Sequence, residues 1–593
     1  MMKIYKSITR YLGILVIGGL LSTVSCVDYL DKAPEVDLAA EDVYSSFTRF
    51  QGFMEDIYQC VVDVTHASSA EMSWNFAGDE LLCTQGAQLV MRFQDGNYWE
   101  ALTSNYTPFN LRNANQVGTN DKVQGYWGSG WFGIRKANQA IGNIDKLVNA
   151  TQEERDIILG QAYFFRAYLH FEILRAWGHI AYVDSVYAAS DAITPAAQSY
   201  KATADRIEQD LLTAIPLLPE NWDNTTVGQT TLGRNAIRVT KGAAMAYLAF
   251  NRLYAASPLM NGEETGNFNY NEALCKSAAE AYLDVINLHK KGVYDFETWE
   301  DYYKNFYTMN GAVPLGKEII WSNPIISNSR WNYGDFTLRA MGGWGIFSSP
   351  TENYVQYFGM KNGLPLEESD SGYDPSDPWT DRDPRFYYNI ITDGERIIQN
   401  VENEHTFAQF FVGGLHMQSG NSLTGYAYKK FKHVTCNTFD NLWSGNYFFQ
   451  CPKIRLAAIY LEYAEAVNEV YGPEGSIPGG PTAIEAVNII RARAGVPDVD
   501  PRFFTKEKFR DEIRRERFVE LAFEAHRWND LRRWRLSDQL KYREKYVLEF
   551  DKDHTYFNKR LYATTVFEPK HWWLPFPVNQ VALYPEFKQN PGW

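Results

Sequence analysis

Helical periodicity runs through this chain and limits its fold more than any other feature. In "AEDVYSSFTRFQGFMEDIYQCVV" (40–62), Val43, Phe47, Phe50, Met54 and Ile57 fall on one apolar stripe. "YWGSGWFGIRKANQAIGNIDKL" repeats the pattern through Trp131, Ile134, Ala137, Ile141 and Ile144. Thr151-Gln-Glu-Glu154 reads as a capping box, in which the threonine and the glutamate each satisfy an orphan backbone N–H. It opens a long helix expected to stop near Gly178. "RIEQDLLTAIPLLPE" and "TKGAAMAYLAFNRLYAA" predict two more helices, the second rich in small residues that allow close packing. Residues 276–288, 452–471 and 482–494 continue the series, with Gly495 a stop signal, and a last long helix is expected from Thr505 to Trp534. The expected fold is mainly α, a tetratricopeptide-repeat-like helical scaffold with long ordered loops and a few short β-hairpins. No fixed 34-residue period is present, so the scaffold is repeat-like.

Between about 300 and 450 the character changes. Gly, Asn, Ser, Pro and aromatic residues crowd together, with short strand-like pieces such as "KEIIWSN". Loops of this kind on a rigid scaffold are where binding usually resides.

The N-terminus sets location. Lys3, Lys6 and Arg10 precede an apolar run, Tyr11 to Leu21, too short for a permanent bilayer span, and small residues Ser22, Thr23 and Ser25 follow. This is the pattern of a secretory signal peptide, residues 1–25. Cys26 then resembles the lipidation cysteine of bacterial lipoproteins, although Thr23 stands where leucine is usual. The alternative is a secreted soluble protein with an incidental cysteine. Asp28, Asp31 and Glu35 would make residues 26–40 a lipidated acidic tether, held to the membrane by acyl burial alone. The 593-residue chain carries a net charge of −15, and loss of the three basic residues in 1–25 takes it to −18. That balance argues against nucleic-acid binding. Five further cysteines, Cys60, Cys83, Cys275, Cys436 and Cys451, are widely spaced and form no CxxC pair; Cys436 and Cys451 could pair with each other.

Several segments together resemble the SusD/RagB family of cell-surface nutrient-binding lipoproteins. They are "GQAYFFRAYLHFEILRAWGHIAYV" (160–183), "RIEQDLLTAIPLLP" (206–219), "RVTKGAAMAYLAFNRLY" (238–254), "DRDPRF" (381–386), "IRLAAIYLEYAEAVNE" (454–469), "VNIIRARAGVP" (487–497), "RRERFVELAFEAHRWNDLRRW" (514–534) and "WLPFPVNQVALYPEFKQNPGW" (573–593), in the family's order. The resemblance implies a non-catalytic protein that sits as a lid on a SusC-like TonB-dependent outer-membrane transporter and captures glycans, or peptides in some members. It implies an outer-membrane location, with the acidic start fitting export to the extracellular side. It also implies an N-terminal helical region over 41–290 and a C-terminal region over 291–593 whose ligand face draws on 300–450.

For chemistry, Glu516, Glu520 and Glu524 lie at i, i+4 and i+8 and would share one helical face, with His526, Arg527 and Asp530 close by. An enzymatic reading makes two of these an acid/base pair, as in a surface glycoside hydrolase; the structural reading is an ion-pair network clamping helices, and it is preferred. "RDPRF" reads as a turn locked by Arg–Asp pairing. No HExxH, GxSxG or P-loop pattern occurs. No cofactor is expected. Asp370, Asp374, Asp377, Asp381 and Asp383 could offer oxygens to calcium but lack the EF-hand order, so a solvated loop is expected. Sugar capture needs rings for the C–H face and forked polar groups for hydroxyls. The candidates are Trp74, Asn75 and Asp79; Arg92, Asp95, Asn97, Tyr98 and Trp99; Trp331, Tyr333 and Asp335; and Trp344 between glycines.

Overall fold

The computed structural model describes residues 42–62, 78–83, 88–103, 125–187, 197–323, 338, 348–418, 421–440, 447–583 and 587–593. Cys26, Trp74, Asn75, Trp331, Tyr333, Asp335 and Trp344 lie outside the described residues.

The expected helices form. Helix α1 spans Phe47–Tyr58 and buries Phe50, Met54 and Ile57, while Val43 and Phe47 are only partly covered. Two short helices follow, α2 (Gln88–Gln94) and α3 (Tyr98–Thr103). Helix α4 (Tyr126–Gly142) and α5 (Gln152–Trp177) come next, the latter opened by the full Thr151/Glu154 capping box. Helices α6 (Tyr200–Leu217), α7 (Lys241–Ala256) and α8 (Glu272–Lys290) complete the first series. From α4 to α8 each packs on the next, and α1 packs on α4 and α5, so α5 is buried on nearly every side. The Ala-rich face of α7 lets α6 and α8 approach it closely.

The scaffold does not end at α8. That helix packs against α10 (Leu456–Tyr471), which follows helix α9 (Pro384–Asn389) and the whole loop-rich excursion. Helix α10 in turn holds α11 (Ala483–Arg493) and α12 (Lys506–Glu520). Gly495 sits at φ +73° just beyond α11, as a C-terminal stop should. The fold is thus mainly helical and tetratricopeptide-like. Its short strands mostly pair across long separations: β1 (Ile319–Trp321), inside "KEIIWSN", pairs with β2 (Ile454–Arg455). One local hairpin, β3 (Glu544–Phe550) with β4 (Phe557–Thr564), is the exception among the named strand pairs. Cys436 and Cys451, a conceivable pair, are separate buried thiols.

The expected continuous helix Thr505–Trp534 is broken. Helix α12 stops at Glu520, and α13 restarts at Arg527 and ends at Arg533. Between them Phe523 and Ala525 adopt φ of +63° and +64°. Tertiary partners impose the break. Lys430 Nζ donates to the carbonyls of Glu520 and Ala522 at 3.1 and 2.9 Å, Arg455 Nη2 donates to the Glu520 carbonyl at 2.7 Å, and the Phe523 N–H donates to Glu80 at 2.9 Å. Buried cations therefore satisfy carbonyls at the end of the helix. Glu516 and Glu520 consequently share a face of α12, whereas Glu524 lies beyond its end and does not join them there.

Their role is the structural one. Arg455 Nη1 reaches Glu318 at 2.8 Å and Glu520 at 2.7 Å, while its Nε and Nη2 both reach Glu524 at 2.8 Å. Arg493 joins Glu318 at 2.8 Å and also Glu520; Lys430 joins Glu524 at 2.6 Å; Arg385 joins Glu516. All these side chains are buried. Nearby cations hold the Glu520 carboxyl well below the ordinary range against the opposing effect of burial, and Glu524 is lowered in the same way. The Arg–Asp turn also forms: Asp383 takes both forks of Arg385, at 3.0 and 2.7 Å, and caps the Arg385 N–H at 2.8 Å.

His170 on α5 shows how tightly the first helices close. Its Nδ1 lies 2.8 Å from the Arg166 carbonyl, the Val183 N–H donates to Nε2 at 3.0 Å, and Tyr182 stacks on its face at 4.2 Å. A backbone acceptor on one nitrogen and a donor on the other fix the neutral Nδ1–H tautomer, and burial pushes the imidazole down to about 3.

Two outcomes follow from these contacts. Arg455→Met removes the shared cation from three buried carboxylates, leaving Arg493 and Lys430 to hold them, and should cost about 3–5 kcal/mol. Arg206→Met, which loses an exposed pair with Asp184, should cost under about 1 kcal/mol. Thermal melts of the two variants check the contrast, and equal losses would contradict it. The second concerns His170. Its folded form refuses a proton that the unfolded chain accepts below about pH 6.5, so its stability contribution is complete above that pH and declines as pH falls toward 3. Imidazole 15N spectra at pH 5 should show His170 neutral.

Candidate functional site

The C-terminal segment is laid along the end of α5 by a chain of backbone contacts. Gly178 ends the helix at φ +79°, where a Cβ would stand 2.8 Å from the Trp573 ring, so only glycine fits. Asn590 Nδ2 donates to the Trp177 and Leu574 carbonyls at 2.7 Å each, and Trp177 Nε1 donates to the Pro575 carbonyl at 3.1 Å. These bonds deliver Trp593 to the α2–α3 turn.

That turn carries five of the sequence candidates. Gly96, at φ +76°, lets the chain reverse, and the Asn97 N–H donates to the Arg92 carbonyl at 2.7 Å. Tyr98 then points inward. It is 4% exposed and stacks on His571 at 4.4 Å with 16° between the planes, so it is a core ring and not an open platform. Burial pushes the His571 imidazole down to about 4. Trp99, the next residue, stays half-buried and meets Trp593 edge-on, 6.0 Å between centroids at 81°. Trp593 is pinned by its polar tip: Nε1 lies 3.0 Å from both the Lys570 and Trp573 carbonyls. Lys570 Nζ sits 5.1 Å over the Trp593 ring and pairs with Glu568 at 3.1 Å.

Polar groups flank the two indoles. Arg92 pairs with Glu100 at 3.0 Å and with Asp95 at 3.7 Å, and Asn97 Nδ2 donates to Glu100 at 2.9 Å. Arg92 is half-buried; Asp95, Asn97 and Glu100 are exposed. The result is a corner of two fixed rings beside an amide, a guanidinium and carboxylates, the group types that cover a sugar face and fork to its hydroxyls.

Asp79 is corrected away from this role. It is fully buried, and Arg527 grips both oxygens at 2.5 and 2.6 Å. Its neighbour Glu80, also buried, is pushed up to about 7 by desolvation. Trp593 and Lys570, by contrast, carry no sequence signal for this site; they lie roughly 500 and 470 residues from the turn they join, and no local pattern announces such a meeting. The Asp-rich loop does not converge. Asp370 binds Arg502 at 2.7 Å, Asp374 accepts from the Ser376 N–H at 2.8 Å, Asp381 faces Lys361 at 3.7 Å, and Asp383 is held by Arg385. Among the described residues no group of three or more metal-ligating side chains gathers, and no helix is long and apolar enough to cross a membrane.

Comparison with known proteins gives consistent matches. The family profile "SusD family" matches residues 317–593, and the profile "Starch-binding associating with outer membrane" matches residues 28–255. A curated relative, SusD-like protein P2 of Formosa agariphila, is 24% identical over 533 residues, covering 88% of this chain and 90% of that protein. A crystal structure of a SusD-like protein from Bacteroides fragilis superposes with a TM-score of 0.72 at 24% identity, covering 95% of this chain and all of that one. A second from the same species, described as a SusD-like carbohydrate binding protein, gives 0.66 at 20% identity over 92% of this chain and 99% of that one.

If the corner is built as these bonds indicate, removing Trp593 should free Trp99 without unfolding the scaffold. Trp593→Ala is expected to shift the indole Nε1–H resonance of Trp99 and lower the melting temperature by only a few degrees. A loss of tens of degrees would mean that Trp593 is a core residue.

Proposed function

Because the chain belongs to the SusD/RagB family, we propose that it is a cell-surface glycan-binding lipoprotein that delivers its ligand to a SusC-like TonB-dependent outer-membrane transporter. The observation that carries the glycan reading is the corner of Trp99 and Trp593: two rings fixed at nearly a right angle, with Arg92, Asn97 and Glu100 beside them. A pyranose laid on one indole would present its hydroxyl rim to that polar group. Fixing the rings in advance lowers the ordering cost of binding, while the open situation of the corner keeps affinity modest.

Binding without turnover is supported by the state of the carboxylates an enzyme would need. Glu516, Glu520 and Glu524 are buried and neutralised by arginine and lysine. Glu462, pushed up to about 7 by burial, is sealed inside the core between Tyr282 and Arg517. A proton donor in either place cannot meet a glycosidic oxygen. The description "associating with outer membrane" for the matched N-terminal profile, together with Cys26 behind its apolar leader, supports acyl anchoring with the fold facing outward.

Native gels cast with a panel of glycans test the reading. Retarded migration without chain shortening is expected with at least one glycan, and Trp99→Ala and Trp593→Ala should each weaken binding about tenfold, near 1.4 kcal/mol. Products of hydrolysis, or no retardation by any glycan, would overturn it. Mass spectrometry of the mature protein should find acyl chains on Cys26.

A further inference from the structure

A second cavity lies in the loop-rich region and shares no residue with the indole corner. It holds about 320 Å³ and is bounded by Tyr307, by Tyr387 and Tyr388 on α9, and by parts of 391–397 and 429–436. That volume is at the lower end of small-molecule sites, about 300–1,000 Å³.

Most of the lining is carbon. Ile391, Ile397 and Val434 stand with the tyrosine rings, and the buried Cys436 thiol, pushed up to about 12 by desolvation, carries no charge. Tyr387 is 44% exposed, yet its hydroxyl is fully engaged: it donates to the Trp379 carbonyl at 2.7 Å and accepts from the Arg382 N–H at 3.2 Å. The ring is held still while part of its surface stays open. The lysines of the wall are already engaged. Lys429 pairs with Glu395, Lys430 with Glu524, and Lys432 has a partner as well. The lining therefore makes no demand for an anion.

A few neutral or acceptor groups remain unspent. The Tyr307 hydroxyl makes no hydrogen bond to a described residue. Glu395 gives its Oε1 to Lys429, and its Oε2 accepts nothing from a described residue. His433 receives the Thr435 N–H on Nδ1 at 3.3 Å, which places the ring hydrogen on Nε2 as a spare donor, and burial keeps the imidazole neutral by lowering its pKa.

We propose that this cavity binds a hydroxyaryl group, the flat ring of a phenolic ester, with the ring against Tyr387 and the hydroxyl donating to Glu395. Such a ring covers carbon walls with its faces and asks for only one or two polar partners, which Glu395 and the His433 N–H supply to its hydroxyl and its ester carbonyl. A pyranose carries a hydroxyl on nearly every ring carbon. It would have to bury several of them against isoleucine, valine and tyrosine carbon, each unpaired hydroxyl at a cost. A phenol is also the more acidic donor, which suits a carboxylate acceptor. This ligand differs in class from the glycan proposed for the indole corner, and neither needs the other.

Calorimetric titration of the full mature protein with methyl 4-hydroxycinnamate, methyl cinnamate and methyl β-glucopyranoside tests the assignment. The hydroxylated ester should bind about tenfold more tightly than the cinnamate, the worth of one charge-assisted hydrogen bond. Glu395→Gln should remove most of that difference, and Tyr387→Ala should weaken both esters about tenfold. Melts of the two variants reveal a folding defect in either, and the other then decides. No binding of the hydroxylated ester, equal binding of the two esters, tighter binding of the glucoside, or loss of ester binding in Trp593→Ala would overturn the proposal. Glycans retarded through Trp99 and Trp593 while both esters fail would remove this inference and leave the glycan reading intact; ester binding without any glycan binding would do the reverse.

Discussion

Arg455 is the residue on which the arrangement turns. It stands at the start of α10, in a strand pair with Ile319–Trp321, and holds Glu318, Glu520 and Glu524 at once. Through Glu318 it ties down the beginning of the loop-rich region, through Glu520 the end of α12, and through Glu524 the irregular turn after it. Lys430, deep in the later loops, completes the same knot. An isolated buried ion pair is weak evidence of stability, because desolvation offsets attraction. Here several cations and carboxylates satisfy one another, and the consequence is geometric. One set of charges fixes where more than a hundred residues of loop meet the helical stack.

This explains how the loops can be long and still hold fixed positions over the helices. Helices α8 and α10 pack directly although the whole excursion separates them in sequence, so the scaffold closes beneath the loops. Ionic fastening then sets their positions from below: Arg385 to Asp383 and Glu516, Lys430 to Glu524, Arg382 to the carbonyls of Pro378, Val355 and Phe358. Each of these groups would be expensive to bury alone. Paired, they act as pegs for segments with little regular structure of their own.

What the sequence made legible divides along physical lines. Apolar stripes and caps are local, and the helices they foretell appear with ends within about two turns of expectation, the Thr151 capping box and the Gly178 and Gly495 stops included. The break after Glu520 was not legible. "RRERFVELAFEAHRWNDLRRW" contains no glycine or proline, and Phe523 and Ala525 accept left-handed angles only because Glu80, Lys430 and Arg455, none of them local, reward the distortion. The candidate site divides in the same way. Trp99, Asn97 and Arg92 could be picked out as ring and fork residues close together in the chain. That Asp79 would be consumed by Arg527, that Tyr98 would turn inward onto His571, and that Trp593 would supply the second indole all depend on contacts hundreds of residues apart.

The indole corner obeys a rule that links packing to recognition. An amphipathic ring has a polar tip and an apolar face, and the scaffold can take the tip. Trp593 spends its N–H between two carbonyls, and Tyr387 spends its hydroxyl on a carbonyl and an amide. Once the tip is bonded the ring has lost most of its freedom, so a ligand meeting the face need not restrain it again. The tip is also no longer available to choose among ligands, and selectivity passes to neighbouring charges. At the corner these are of both signs, Arg92 with Glu100 and Lys570 with Glu568, which suits the neutral hydroxyl rim of a sugar.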